Sequence, residues 1–189
     1  MQRRLLLAAL IVLVAGCHHR SALPELFPVP DTALVNERGQ AVRLSAMKGK
    51  VTVYDFIFTN CAGTCPMMTA AMRRLTKKVD GGLPVQFVSI SVDPIRDTPA
   101  VLSQYAARVR NDDRWTFLTG DRGAIIDLSV NGFKLAADGT TQTAAEPLMH
   151  SSKFVIADKH GVIREYYGAT NDDAVDHVVA AVSDLARED

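Results

Sequence analysis

The chain has 189 residues, 48% of them apolar, and its 21 basic side chains are balanced by 21 acidic ones. That length suits one domain with a substantial core. A net charge of zero excludes the electrostatic footprint of a nucleic-acid binder, and neither repeats nor low-complexity tracts interrupt the chain.

Arg3 and Arg4 precede an apolar run from Leu5 to Val14, which is half of the roughly twenty residues a membrane-spanning helix needs. A charged start, a short apolar core and small residues before a cleavage point form the pattern of an export signal. Leu13-Val14-Ala15-Gly16-Cys17 resembles a bacterial lipoprotein signal. That resemblance implies that Cys17 is lipidated and becomes the first mature residue; an uncleaved signal anchor with a stray cysteine is the alternative. The expected organisation is a signal peptide over 1–16, a tether over 17–32 and one domain over 33–189. The domain is then lipid-anchored at the bacterial cell membrane and faces the periplasm or the cell exterior. Loss of Arg3 and Arg4 leaves 19 basic groups against 21 acidic ones. Of the three cysteines, Cys61 and Cys65 remain for chemistry, in a compartment where disulfides can form.

Within the tether, the stretch from Ser21 to Pro30 contains Pro24, Pro28 and Pro30 and reads as stiff and extended. Asn36-Glu37-Arg38-Gly39 lies between short apolar stretches and predicts a hairpin. Val51 to Phe58 is apolar except at Thr52 and Asp55, the pattern of a buried strand. Met68, Met72, Leu75 and Val79 then recur at near-helical spacing opposite Arg73, Arg74, Lys77 and Lys78, which predicts an amphipathic helix. Val85 to Val92 is a second buried strand. Asp97-Thr98-Pro99 starts a helix, with proline at its first position, and Leu102, Tyr105, Ala106 and Val109 form its apolar stripe. A strand over Trp115–Leu118, a helix over Arg122–Val130, a hairpin of Phe154–Ala157 and Val162–Tyr167, and a last helix from Asp172 to Leu185 follow. Alternating strands and helices indicate an α/β domain with helices on both sheet faces. The element order resembles thioredoxin-like folds: a central mixed sheet flanked by helices, here with an N-terminal extension.

Between the first strand and helix lies Cys61-Ala-Gly-Thr-Cys65-Pro66. Pro66 disfavours helical geometry at the residue before it, which places Cys65 at the helix cap and Cys61 in the loop ahead. A helix N-terminus favours thiolate over thiol. Thiolate is both the redox nucleophile and a soft ligand suited to Cu(I). Spacing alone leaves open a switchable disulfide, an inert structural disulfide or a metal clamp. Among the five histidines, His18 and His19 sit beside the anchor, His160 in a turn and His177 on the last helix. His150 lies in the irregular run Glu146-Pro147-Leu148-Met149-His150 before a core strand.

Four blocks in order resemble the Sco (SenC) family of copper-binding proteins. They are Asp55-Phe56-Ile57-Phe58-Thr59-Asn60-Cys61; Cys65-Pro66-Met67-Met68; Ser91-Val92-Asp93-Pro94 with Asp97-Thr98-Pro99; and His150 through Phe154-Val155-Ile156-Ala157-Asp158, followed by Gly161-Val162-Ile163-Arg164 and Tyr167-Gly168. The resemblance covers nearly the whole mature domain. It implies a thioredoxin-like fold that holds one copper ion, as Cu(I) or Cu(II), through Cys61, Cys65 and His150, the histidine lying 85 residues after Cys65. It also implies a role in assembling the copper A site on cytochrome c oxidase subunit II, by delivering copper, by reducing that site's cysteines, or both. Other periplasmic copper chaperones or thiol reductases are further expected partners. A chaperone is favoured over an enzyme, because thioredoxin-type reductases carry a tryptophan before the first cysteine and two intervening residues, where this chain has Asn60 and three. A thiol–disulfide oxidoreductase, with Cys61 attacking and Cys65 resolving, is the second reading, and a thiol peroxidase or redox sensor a remote third.

Asp93 is a candidate for supporting the site or docking a partner, against a turn-forming aspartate before Pro94. Asp55 is unusual in a buried strand, where an unpaired carboxylate is costly; a hydrogen-bonded structural role is expected, with tuning of the thiol pair as the alternative. Met67, Met68 and Met149 are read as core or rim residues, and Trp115 and Tyr167 as core aromatics.

Overall fold

The computed structural model describes residues 19–61, 63–135 and 151–188. In chain order these form β1 (Phe27–Pro28), β2 (Ala33–Asn36), β3 (Ala41–Arg43), a 3-10 turn (Leu44–Met47), β4 (Val51–Ile57), α1 (Cys65–Lys78), β5 (Val85–Ser91), α2 (Pro99–Val109), β6 (Trp115–Thr119), α3 (Arg122–Asp127), a π-type turn (Leu128–Gly132), β7 (Lys153–Ala157), β8 (Val162–Gly168) and α4 (Ala174–Arg187). The strands make one mixed sheet in the order β1-β8-β7-β4-β5-β6-β2-β3. β4, β5 and β6 run parallel, while β7 returns antiparallel to β4.

β4 is buried along its whole length, as a central strand with both faces covered must be. Its side chains alternate. Val51, Val53 and Ile57 point into a core shared with Met68, Met72 and Leu75 of α1, Leu102 of α2 and Val178 and Val182 of α4. Tyr54 and Phe56 point to the opposite face, where Leu34, Leu44, Ile125 and Leu128 cover the sheet. There Phe133 sets its ring edge-on against Tyr54 at 5.0 Å and Phe56 at 5.2 Å, a geometry that adds to plain burial. Trp115 is fully buried, and its indole donates to Ser89 Oγ at 2.9 Å.

The mixed α/β architecture agrees with the sequence reading, with differences at the margins. The Arg122–Val130 segment is a six-residue helix that widens into the π-type turn. Tyr167 is half-buried rather than core: it stacks on His177 at 3.8 Å and donates to Asp173. Residues 23–29, within the expected tether, lie along the domain. β1 pairs with β8, and the buried Arg164 guanidinium donates to the Leu23 and Pro24 carbonyls while pairing with Asp158 and Glu188. This side-chain anchoring makes up for the prolines, which have no N–H to offer a sheet.

Candidate metal and redox site

Parallel β4 and β5 end on the same side of the sheet, and the loops that leave them form the site, as is usual for open α/β sheets. The first loop carries Cys61, the second Asp93 and Asp97. Asp97 is buried and ties the two together. It accepts from Thr59 N at 3.0 Å, from Thr59 Oγ1 at 2.5 Å and from Ser91 Oγ at 2.6 Å. The backbone two residues before Cys61 is thereby fixed to the end of β5. Thr98 caps α2 by accepting from Val101 N, with Pro99 as its first residue, as the sequence predicts.

Cys65 is the first residue of α1 rather than its cap, a departure from the sequence expectation. The Thr64 carbonyl already accepts from Met68 N at 3.0 Å, so the helical ladder begins one residue early. Pro66 then falls at the second helical position, where an N–H would lack an intrahelical partner anyway. Both cysteines are free thiols; Cys61 is half-buried and Cys65 fully buried. The two thiols are close enough for Cys61 to perturb Cys65, and a Cβ placed at Gly63 would sit 3.9 Å from Cys61 Sγ.

The expected thiolate at the helix start is also corrected. Burial pushes the Cys65 thiol up to about 12, assisted by the hydrogen bond with Cys61 and by the nearby Asp55 carboxyl; a backbone hydrogen bond at Phe58 opposes them. Desolvation outweighs the helix field here, because Cys65 is packed into the α1 core. The resulting pair is unequal, with one accessible sulfur and one that holds its proton until a metal or a disulfide partner displaces it.

Asp55 occupies the α1-facing side of β4. It is wholly buried, and neither carboxyl oxygen has a hydrogen-bond partner of ordinary geometry. The expected hydrogen-bonded structural role is therefore replaced by an orphaned carboxyl. Burial pushes it up to about 7, offset in part by the Ser89 hydroxyl across the sheet. Asp93 instead pairs with Arg96 at 2.9 Å, and its carbonyl accepts from Arg96 N and Asp97 N, so its contacts are those of a turn. Met68 is core and Met67 is 56% exposed.

The structure brings together Cys61, Cys65 and, beneath them, Asp55. Cys17, His150 and Met149 lie outside the described residues. Among the described residues no cluster of three or more His, Cys, Asp or Glu side chains forms a metal site. His19 is bonded to Asp184 and His177 to Glu165. Sequence reasoning passed over Asp97, whose clip is visible only once the ends of β4 and β5 lie side by side. The available signal was a second carboxylate four residues after Asp93.

The family model described as SCO1/SenC matches residues 29–187, which takes in every element from β2 to α4 and both cysteines. The chain belongs to the SCO1/SenC family. The SCO1 protein homolog of Bacillus subtilis is 34% identical over 165 residues, covering 84% of each chain. A Stutzerimonas stutzeri protein described as copper-binding is 30% identical, covering 78% of this chain and 72% of the relative. The solved structure of BsSco superposes with a TM-score of 0.75 at 31% identity, covering 87% of this chain and 96% of the other. It is described as a member of the Sco family of cytochrome c oxidase assembly proteins that contains a disulfide switch. The thioredoxin-like fold expected from the sequence is thus the fold of solved Sco proteins.

Proposed function

We propose that this SCO1/SenC protein is a copper metallochaperone for cytochrome c oxidase. It takes one copper ion as cargo on Cys61 and Cys65, with His150 as third ligand, and passes it to the copper site on oxidase subunit II. The observation that carries this reading is the unequal thiol pair, with one sulfur half-open at the surface and its neighbour buried beneath it. Two soft sulfurs at one point suit Cu(I), and an imidazole extends the set toward Cu(II). Loading must displace the proton that Cys65 retains, so capture is coupled to proton release. The open side at Cys61 is where an incoming thiolate can enter and the cargo leave by ligand exchange. The description of the S. stutzeri relative as a copper-binding protein and the oxidase-assembly role ascribed to BsSco's family support the assignment. Lipidation at Cys17 would hold the domain at the membrane that contains its partner.

The test is a copper titration of the reduced domain, followed by sulfur-to-copper charge-transfer absorption, beside His150→Ala and Cys61→Ser. Stoichiometric binding that weakens sharply in both variants is expected. Absence of binding in the parent protein, with disulfide reduction intact, would overturn the copper reading. Acyl-chain labelling that disappears in Cys17→Ser tests the anchor.

The same asymmetry favours a second reading, a thiol–disulfide oxidoreductase acting on the cysteines of the oxidase copper site or of other exported proteins. Cys61 is placed to attack and Cys65 to resolve, and a disulfide switch is described for BsSco. Rapid turnover of a mixed disulfide by the parent protein, and its accumulation in Cys65→Ser, is the expected signature.

A further inference from the structure

A groove of about 290 Å³ opens beside Cys61 and runs between α1 and α2, walled by Phe58, Ala70, Arg73, Tyr105 and Val109. The two helices are locked together along its floor by the hydrogen bond between Thr69 Oγ1 and Tyr105 Oη at 2.8 Å. From Cys65 to Arg73 the helix climbs about 12 Å, the span of about four residues of extended peptide.

The charge on the two helices that wall this groove is one-sided in a chain that is neutral overall. α1 and α2 carry Arg73, Arg74, Lys77, Lys78 and Arg108 and no acidic residue. Lys78 pairs with Asp176. Arg73, Arg74, Lys77 and Arg108 are exposed and have no ion-pair partner among the described residues. Arg108 lies over the Tyr105 ring at 5.9 Å, so its charge sits at the groove wall.

We infer that this groove is a docking site for an acidic polypeptide segment that presents a cysteine to Cys61. The inference rests on the reading of Cys61 as the atom that meets a partner's thiol, and it adds what selects that partner. One end of the groove is a sulfur that exchanges with sulfur, and the other is a patch of free cations. A segment that fills the groove needs a thiol at one end, a slim apolar stretch against Tyr105 and Val109, and carboxylates about four residues away.

The probes are hexapeptides with one cysteine, activated as the 2-thiopyridyl disulfide and flanked by glutamates or by lysines. The Cys61 thiolate attacks the peptide's cysteine sulfur and forms a new S–S bond. The old S–S bond breaks, and 2-thiopyridone leaves with its electron pair and takes up a proton. The quantity read is the ratio of initial rates for the acidic and basic peptides in the same protein, which cancels the intrinsic reactivity of Cys61. A ratio of about ten or more is expected at low ionic strength, falling toward one in about 1 M salt and reversing in Arg73→Glu/Arg74→Glu. Ala70→Trp is expected to slow both peptides at least about fivefold relative to dithiodipyridine in the same protein. A ratio near one in the parent at low salt, or one unchanged by the double charge reversal, would overturn the inference. So would an Ala70→Trp protein with no relative slowing. Copper titration of the parent separates this failure from that of the copper reading. A protein that binds copper but shows no peptide preference removes the groove, whereas one that shows the preference without binding copper keeps the groove and removes the chaperone.

Discussion

Replacing Asp55 by asparagine should make the protein less sensitive to pH and more stable at alkaline pH. Asp55 is wholly buried without an ordinary hydrogen bond, and its carboxyl is moved from the usual 3.8 up to about 7. A carboxyl raised on folding binds its proton more tightly in the folded chain than in the unfolded one. Folding is therefore least penalised below about pH 4, loses stability as the pH rises from there to about 7, and carries the full cost above that. At about 1.4 kcal/mol per tenfold change in proton affinity, the full cost is about 4 kcal/mol. Asparagine has no such titration, but its amide inherits an unpartnered position that costs about 1–3 kcal/mol. The net expectation at pH 8 is a gain of about 1–3 kcal/mol for Asp55→Asn. Between pH 5 and pH 8 the parent should lose about 3 kcal/mol more than the variant. Asp31, Asp112 and Asp184 are held below their usual range by hydrogen bonds and titrate outside this window. Urea unfolding of the reduced, metal-free proteins at the two pH values measures the difference. Stability curves that stay parallel within about 1 kcal/mol would refute the assignment of an ionisable, unpartnered carboxyl at this position.

Three further outcomes follow from the contacts. In the reduced protein at pH 8, iodoacetamide should label Cys61 first and Cys65 at least about tenfold more slowly, because Cys65 is buried and held protonated; equal labelling in peptide maps would contradict this. Asp97→Ala removes three hydrogen bonds that join the loops after β4 and β5, which should cost about 2–4 kcal/mol in urea unfolding and weaken copper retention; an unchanged midpoint would dismiss the clip. Arg164→Met leaves buried Asp158 without its cation and the Leu23 and Pro24 carbonyls without their donor. A loss of about 3–5 kcal/mol and faster proteolysis before residue 29 are expected, and unaltered digestion would argue against the pinning.

Much of the fold is legible where local and tertiary forces agree. The run of β4, apolar except at Thr52 and Asp55, needs both sheet faces covered, and they are. The Met68–Met72–Leu75 stripe lies on the core side of α1, and Thr98 and Pro99 start α2 where they should. Reading fails where a distant neighbour decides the outcome. β1 has two exposed residues and is recruited by the backbone of β8 and by Arg164, which lies some 140 positions away. The Cys65 proton is a contest between a local helix end and burial that only the packed core reveals. Asp97 is an ordinary acidic residue in the sequence until Thr59 and Ser91 are brought to it. The cysteines themselves were legible because their chemistry is carried by residue type and order. His150, the expected third ligand, lies outside the described residues.

If Cys17 carries the proposed lipid, the pinning of residues 23–29 would limit how far the domain can travel. Had the whole 17–32 stretch been loose, a lipid on Cys17 would allow an excursion of about 50 Å at full extension. With the Leu23 and Pro24 carbonyls held by Arg164 and His19 hydrogen-bonded to Asp184, a lipid on Cys17 would be joined to the domain by at most the six links from Cys17 to Leu23, about 20 Å. An anchored protein of this kind would patrol a thin layer against the lipid headgroups, and a partner's metal site would have to stand at that height to be served.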